Sequence, residues 1–266
     1  MSTKKCPEYA MEDYRHLREA GALAAYILDY ITPHVVEGIS TIELDKLCHE
    51  EITRHHALAA PLNYEGYPNA TCISVNHVVC HGIPSNQKLA NGDILNIDIT
   101  VIVNGWYGDS SRMYTVGKVS NRAMELVDAA YDSLMLAIDI VKPGTRLGDI
   151  GHAIQSFAEA RKFSVVRDYC GHGIGRVFHD EPLVLHFGSP GTGMMLKPGH
   201  VFTIEPMLNI GGYKTELLAD NWTVVTKDRS LSAQFEHTLG VTADGCEVFT
   251  LSRMGLDRPP HKLGQK

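Results

Sequence analysis

Two stretches of the chain, 107 positions apart, repeat one another position by position. Leu89-x-x-Gly92-x-Ile94-Leu95-x-Ile97-Asp98 aligns with Leu196-x-x-Gly199-x-Val201-Phe202-x-Ile204-Glu205. Gly38 and Gly144 stand 106 positions apart, each just ahead of the second helix of a predicted pair. Two separate blocks at nearly one offset predict a duplicated helix-pair and strand unit. Such a duplication restricts the fold to an α+β architecture with a pseudo-twofold axis, fused into one domain without a linker. Its boundaries are read as about 12–118 and 119–252. Both repeated strands are expected to end in a carboxylate, Asp98 and Glu205, which puts a site near the axis.

The helices follow from spacing. From Met11 to Ile31 the apolar residues Tyr14, Leu17, Ala24, Ile27, Leu28 and Ile31 recur at helical intervals, and Pro33 closes the element. Ser40 and Glu43 form a capping box ahead of Leu44 and Leu47. Met124 to Val141, ending before Pro143-Gly144, and the set Leu147, Ile150, Ile154 and Phe157 give the second pair. The segment 253–266, with Pro259-Pro260 and several charges, is expected to be a poorly ordered tail.

Composition narrows the function classes. A chain of 266 residues, 44% hydrophobic, can bury an enzyme-sized core. A formal charge of −7 provides no basic field for nucleic acid or an anionic membrane. No stretch approaches the ~20 apolar residues of a membrane span, and no signal-peptide core follows Lys4 and Lys5, so the expected location is the cytoplasm. Six cysteines without a CxxC pair read as free thiols. Of the fourteen histidines, His55, His56 and His261 read as ordinary surface residues.

Asn104-Gly105 is a strong hairpin signal, because both positions tolerate positive φ. A two-residue loop there pairs Val103 with Trp106, Thr100 with Asp109 and Asp98 with Ser111. Asp98 and Asp109 become diagonal neighbours on one face, roughly 7–8 Å apart at the backbone. A solvated hairpin face accounts for these two aspartates equally well on their own. Cys170-Gly-His172-Gly-Ile-Gly175-Arg-Val-Phe-His179 adds two histidines around a glycine-rich turn. Its Gly-x-Gly spacing lacks the Lys-Ser/Thr and strand context of a phosphate loop. Ile204-Glu205-Pro206 and Phe235-Glu236-His237-Thr238 each set a glutamate in an apolar strand, where an unpaired buried carboxylate is costly and coordination removes the cost. Together Asp98, Asp109, His172, Glu205 and Glu236 form an oxygen-rich set suited to two divalent ions such as Mn, Fe, Co or Zn. Two ions bridged by carboxylates about 3.5–4 Å apart can activate a water for attack on a carbonyl.

These motifs, with the run Cys72-Ile-Ser-Val-Asn76-His77-Val-Val-Cys-His81-Gly-Ile-Pro84, resemble the type I methionine aminopeptidases of the bacterial form over roughly Glu12 to Ser252. The resemblance implies the pita-bread fold and removal of N-terminal methionine ahead of a small second residue. It makes Asp98, Asp109, His172, Glu205 and Glu236 the metal ligands. His81 would contact the scissile peptide, His179 the carbonyl oxygen or tetrahedral intermediate, and Glu205 would also transfer protons. Tyr67, Cys72, Phe178 and Trp222 would line an apolar methionine slot together with His81 and His179, although for Tyr67 and Cys72 core packing fits the sequence as well. Peptide and nascent-chain N-termini are the implied partners, with a transient ribosome contact and a monomeric enzyme as expectations. The N-terminal zinc-binding extension of eukaryotic type I enzymes is not expected here, and with 25 residues between His179 and Glu205 the chain lacks the helical insertion of type II. An enzyme of the same fold cleaving Xaa-Pro bonds is the alternative. A non-catalytic binding protein of this fold would be expected to lack ligands. A two-metal phosphoesterase would want more basic residues than Arg176.

Overall fold

The computed structural model describes residues 5–261. Four helices appear where the apolar spacing places them: α1 (Tyr14–Ile31), α2 (Thr41–Arg54), α3 (Asn121–Asp139) and α4 (Leu147–Ala160). Ser40 caps α2 through the Glu43 N–H, while the Glu43 carboxylate accepts from the Ser40 N–H, so the predicted capping box is formed. Helix α3 starts three residues earlier than the apolar pattern indicates, because the Ser120 hydroxyl accepts the Ala123 N–H and caps it there. No helix among the described residues is long and apolar enough to cross a membrane.

The strands, all paired antiparallel, make one large and two small sheets. In the large sheet the order is β1 (Leu58–Ala59), β4 (Ile94–Val103), β5 (Trp106–Thr115), β14 (Glu236–Val241), β9 (Val201–Ile204), β7 (Gly171–Gly173) and β8 (Asp180–Val184). Strand β2 (Cys72–Val75) joins β4, and β15 (Cys246–Val248) joins β14. One small sheet is β13 (Ser232–Gln234), β10 (Met207–Asn209) and β6 (Ser164–Val165); the other is β11 (Thr215–Leu217), β12 (Val224–Thr226) and β3 (Val78–Cys80).

The sequence duplication is a duplication of contacts. Gly38 N–H donates to Leu89 O at 2.8 Å, and Gly144 N–H to Leu196 O at 3.0 Å. The return bonds, Leu89 N–H to Ile39 O and Leu196 N–H to Thr145 O, are both 2.8 Å. Gly38 and Gly144 have φ of 88° and 92°, a left-handed backbone that L side chains rarely adopt, which is why glycine recurs at both places. In register, Asp98 faces Ser111, Glu205 adjoins the β9–β14 pair, and Ser111 faces Glu236 across the central β5–β14 seam. Asp98 and Glu205 therefore approach that seam from opposite sides.

Strand alternation separates core from site. Leu95, Ile97, Ile99 and Val101 of β4 pack with Ile27, Leu28 and Ile31 of α1 and with Leu44 and Ile52 of α2. Phe202, Ile204, Leu239 and Val241 pack in the same way with Leu126 and Leu134 of α3 and with Ile150 and Ile154 of α4. With the helices on one face, Asn96, Asp98 and Thr100 fall on the other. Gly108 lets α1 approach closely, since a Cβ there would lie 2.3 Å from the carbonyl carbon of Ala20.

Three expectations need correction. Asp98 lies inside β4 rather than at its end, because the hairpin with β5 and the pairing with β1 carry that strand on to Val103. Glu205 does lie one residue past β9, where Pro206 has no N–H to continue the ladder. The tail is packed as far as His261. Leu256 is buried, Arg258 reaches Asp132 and lies over the Tyr131 ring, and His261 is half-buried against Tyr114 rather than at the surface. Residues 262–266 of that segment lie outside the described residues.

Candidate active site

A cavity of about 450 Å³ opens on the sheet face away from the helices. Asp98, Asp109, His172, Glu205 and Glu236 all line it, and so do Tyr67, Cys72, His81, Phe178, His179 and Trp222. Every site residue expected from sequence thus meets in one place.

The hairpin has the anticipated register, with Asn104 and Gly105 at φ of 51° and 77° and Thr100 opposite Asp109. The Thr100 hydroxyl donates to Asp109 Oδ1 at 2.7 Å, which aims the other oxygen into the cavity side occupied by His172. His172 sits at the centre of β7 between Gly171 and Gly173. A Cβ on Gly171 would lie 2.4 Å from Thr203 O, and one on Gly173 2.0 Å from Glu181 O, so only glycine lets the neighbouring strands close around this histidine.

Hydrogen bonds fix the histidine's tautomer. His172 Nδ1 lies 3.1 Å from Gly173 O; a carbonyl can only accept, so Nδ1 carries the proton. The Nε2 lone pair is then bare, 3.7 Å from both Asp109 Oδ2 and Glu205 Oε1. Thr203 joins two of the candidate ligands, accepting the His172 N–H and donating its hydroxyl to Glu205 Oε1 at 2.9 Å. Gln234 donates to Glu205 Oε2 at 3.1 Å, and the Glu205 N–H donates to the buried His186.

These donors leave much of the carboxylate charge unanswered. Asp98 Oδ1 is buried without a hydrogen-bond partner. Burial, and next the neighbouring Asp109 carboxylate, push Asp98 and Glu205 well above the usual carboxylate range. Glu236 is raised by the same causes. Asp109 is pushed up by burial to about 7, and burial lowers His172 to about 3. Donor atoms of Asp109, His172 and Glu236 all lie within 4.8 Å of one another. A bare imidazole nitrogen, an orphaned carboxylate oxygen and mutually repelling carboxylates fit divalent cations and fit poorly with any apolar or anionic occupant.

Beside this cluster the wall is apolar. Tyr67 is only 2% exposed, its hydroxyl within 3.0 Å of both Thr71 O and Gly82 O, and its ring meets Trp222 edge-on at 5.1 Å. His81, with left-handed backbone at φ 55°, stands between Tyr169 and Trp222. The wall is anchored from behind by Asp45 of α2, whose carboxylate accepts from Asn69 Nδ2, from Thr71 Oγ1 and from the N–H groups of Ala70 and Thr71. Removing it strands buried donors. Asp45→Ala is expected to lower the free energy of unfolding by about 1–3 kcal/mol, read by urea titration; an unchanged midpoint and slope would show that water replaces the carboxylate at no cost.

Sequence reasoning missed Tyr64, Thr100, Tyr169, Thr203 and Gln234. Three of these had a signal: Thr100, Thr203 and Gln234 each lie two residues from an acidic candidate, and period-two alternation puts such neighbours on the same face. Tyr64 and Tyr169 lie in irregular segments with no periodicity to read.

Comparison with known proteins agrees with this geometry. The model of Metallopeptidase family M24 matches residues 15–243. The methionine aminopeptidase of Rickettsia prowazekii (strain Madrid E) is 58% identical over 251 residues, covering 94% of this chain and 97% of that protein. The chain belongs to metallopeptidase family M24, among its methionine aminopeptidases. The Escherichia coli (strain K12) member is 54% identical over 244 residues, with 91% of this chain and 92% of that one covered. The crystal structure of the Rickettsia prowazekii methionine aminopeptidase superposes with a TM-score of 0.92 at 57% identity, covering 93% of this chain and all of the other. The pita-bread fold and use of divalent metal follow from membership in this family.

Proposed function

We propose that this chain hydrolyses the first peptide bond of peptides and nascent chains that begin with methionine and carry a small second residue. The observation that carries the reading is the meeting, in one cavity, of five metal-type donors with an apolar slot. Asp98, Asp109, His172, Glu205 and Glu236 would hold two divalent ions, of which Co, Mn, Fe and Zn all suit the donor set. When bound there, such ions supply Lewis acidity.

The protein's own groups do the rest. Tyr67, Cys72, Phe178 and Trp222 enclose a side chain of methionine's shape and exclude water around it. In this reading His81, which lines the cavity, contacts the scissile peptide, and His179 its carbonyl oxygen. Glu205 accepts one hydrogen bond at each oxygen, which keeps lone pairs available to take and return a proton. We read the chain as one catalytic domain of two repeats, 12–118 and 119–252, a division supported by the paired glycine contacts. Six free cysteines suit a reducing cytoplasm.

The deciding assay sets Met-Ala-x and x-Pro peptides side by side with metal-reconstituted protein. Release of methionine from the first, with the second left intact, is the expected outcome. Faster cleavage of x-Pro bonds would move the chain to the other branch of the fold.

A further inference from the structure

Tyr64 lines the cavity from a short 3-10 turn, Tyr64–Gly66, flanked by left-handed Asn63 (φ 66°) and crossed by left-handed Glu65 (φ 47°). The turn is closed by Tyr67 N–H to Tyr64 O at 2.9 Å and by Asn63 N–H to Tyr67 O at 2.8 Å, so the phenol is presented from a fixed loop. Its hydroxyl lies 3.0 Å from His179 Nδ1. The Tyr64 ring meets Phe178 edge-on at 4.9 Å, and the His179 ring stacks on Phe178 at 4.0 Å. The His179 ring also meets the His172 ring at 4.4 Å, with 67° between their planes. These contacts set the plane of the imidazole and commit Nδ1 to the tyrosine.

Two proton arrangements satisfy that bond. Nδ1–H could donate to the phenol oxygen, leaving Nε2 a bare acceptor; or the phenol could donate to Nδ1, putting the imidazole proton on Nε2. A phenol of pKa about 10 is a far stronger acid than a neutral imidazole N–H, and an imidazole nitrogen is a far stronger base than a phenol oxygen. The O–H to N arrangement is therefore the stronger bond. Burial, reinforced by Glu65, raises the Tyr64 pKa, so the phenol keeps the proton it donates.

We propose that Tyr64 is a positioning residue that holds His179 as its Nε2–H tautomer, so that a neutral imidazole presents a donor, not a lone pair, to the substrate carbonyl. The inference rests on the proposed assignment of His179 to that carbonyl. It explains why an aromatic residue carrying a hydroxyl stands at this point of the wall, where Phe178 already supplies apolar surface.

The test starts with the wild-type protein, which avoids any folding risk. In zinc-loaded protein with 15N-labelled histidine, long-range 15N–1H correlations at neutral pH should show His179 protonated at Nε2; protonation at Nδ1 overturns the proposal. Tyr64→Phe keeps the ring packing and removes only the hydroxyl. It should retain the metal content of the wild type, show a mixture of His179 tautomers, and lose about 10-fold in kcat on a Met-Ala-x peptide. A wild-type kcat in this variant overturns the proposal as well. Failure of the underlying assignment is separable: His179→Ala with an unaffected rate removes the histidine from the reaction altogether, whereas a slow His179→Ala combined with an Nδ1-protonated wild type overturns only the role of Tyr64.

Discussion

Protein stripped of divalent ions by chelation is expected to release no methionine from a Met-Ala-x peptide, and a divalent transition metal should restore the reaction. Among the described residues the cavity holds no serine, threonine or cysteine hydrogen-bonded to a histidine base: Thr100 donates to Asp109, burial raises the Cys72 and Cys80 thiols well above their ordinary value, and it raises Cys170 to about 11. Chelation should also change how stability depends on pH. Asp98, Asp109, Glu205 and Glu236 all have folded-state pKa values above their ordinary ones, Asp109 moving from 3.8 to about 7. Groups raised in this way bind protons more tightly in the folded state. Their contribution to the metal-free fold is complete below the unfolded pKa and is lost as pH rises through the folded one, near 7 for Asp109. Cations reverse the balance by favouring the ionised form. The gap in Tm between loaded and metal-free protein should therefore widen from pH 5 to pH 8. Full activity after chelation would sink the metallopeptidase mechanism for this site, and a gap independent of pH would show that the carboxylates do not share one buried cluster.

Much of this site was legible because its candidate ligands sit on strands or, for Glu205, directly at a strand end. The Asn104-Gly105 turn fixes the register of β4 against β5 by counting, and that count alone places Asp98 and Asp109 on one face. The repeated Leu-x-x-Gly pattern located Glu205 by its kinship with Asp98, and the two flank the β5–β14 seam from opposite sides. The repeat pattern misplaced the strand end, since β4 runs on past Asp98 to Val103 as the hairpin count requires, and its further pairing with β1 is one that no local pattern signals. The tail misled for a similar reason. Its charges and prolines suggest a solvated end, but Ser252 binds the buried Asp29 carboxylate that also pairs with Arg112, and the segment beyond it is tied down by long-range contacts. Tyr64 was invisible because it acts from an irregular turn, where position depends on backbone conformation and not on periodicity.

His179→Ala should bind metal as the wild type does yet lose about 10²–10³ in kcat, the rate typically supplied by one donor aimed at developing negative charge. The separation from the proposed metal ligands is visible in the geometry. His172 has its Nδ1 committed to a carbonyl and its Nε2 facing Asp109 and Glu205, the arrangement of a ligand. His179 has its Nδ1 committed to Tyr64, outside the carboxylate cluster, and no carboxylate lies within 4.0 Å of its ring nitrogens among the described ion pairs. Its ring stacks on Phe178 and meets the His172 ring, so it touches both the apolar wall and the metal-type donors, as the proposed role at the carbonyl requires. Metal content and single-turnover rate, measured together on one preparation with a Met-Ala-x peptide, distinguish the possibilities. Depleted metal would make His179 a ligand, and a wild-type rate would show that the carbonyl oxygen is stabilised without it. Because Phe178 and Tyr64 keep their own packing when the imidazole is removed, the loss should fall on kcat with KM little changed; a rise in KM at constant kcat would instead assign His179 to holding the substrate in its ground state.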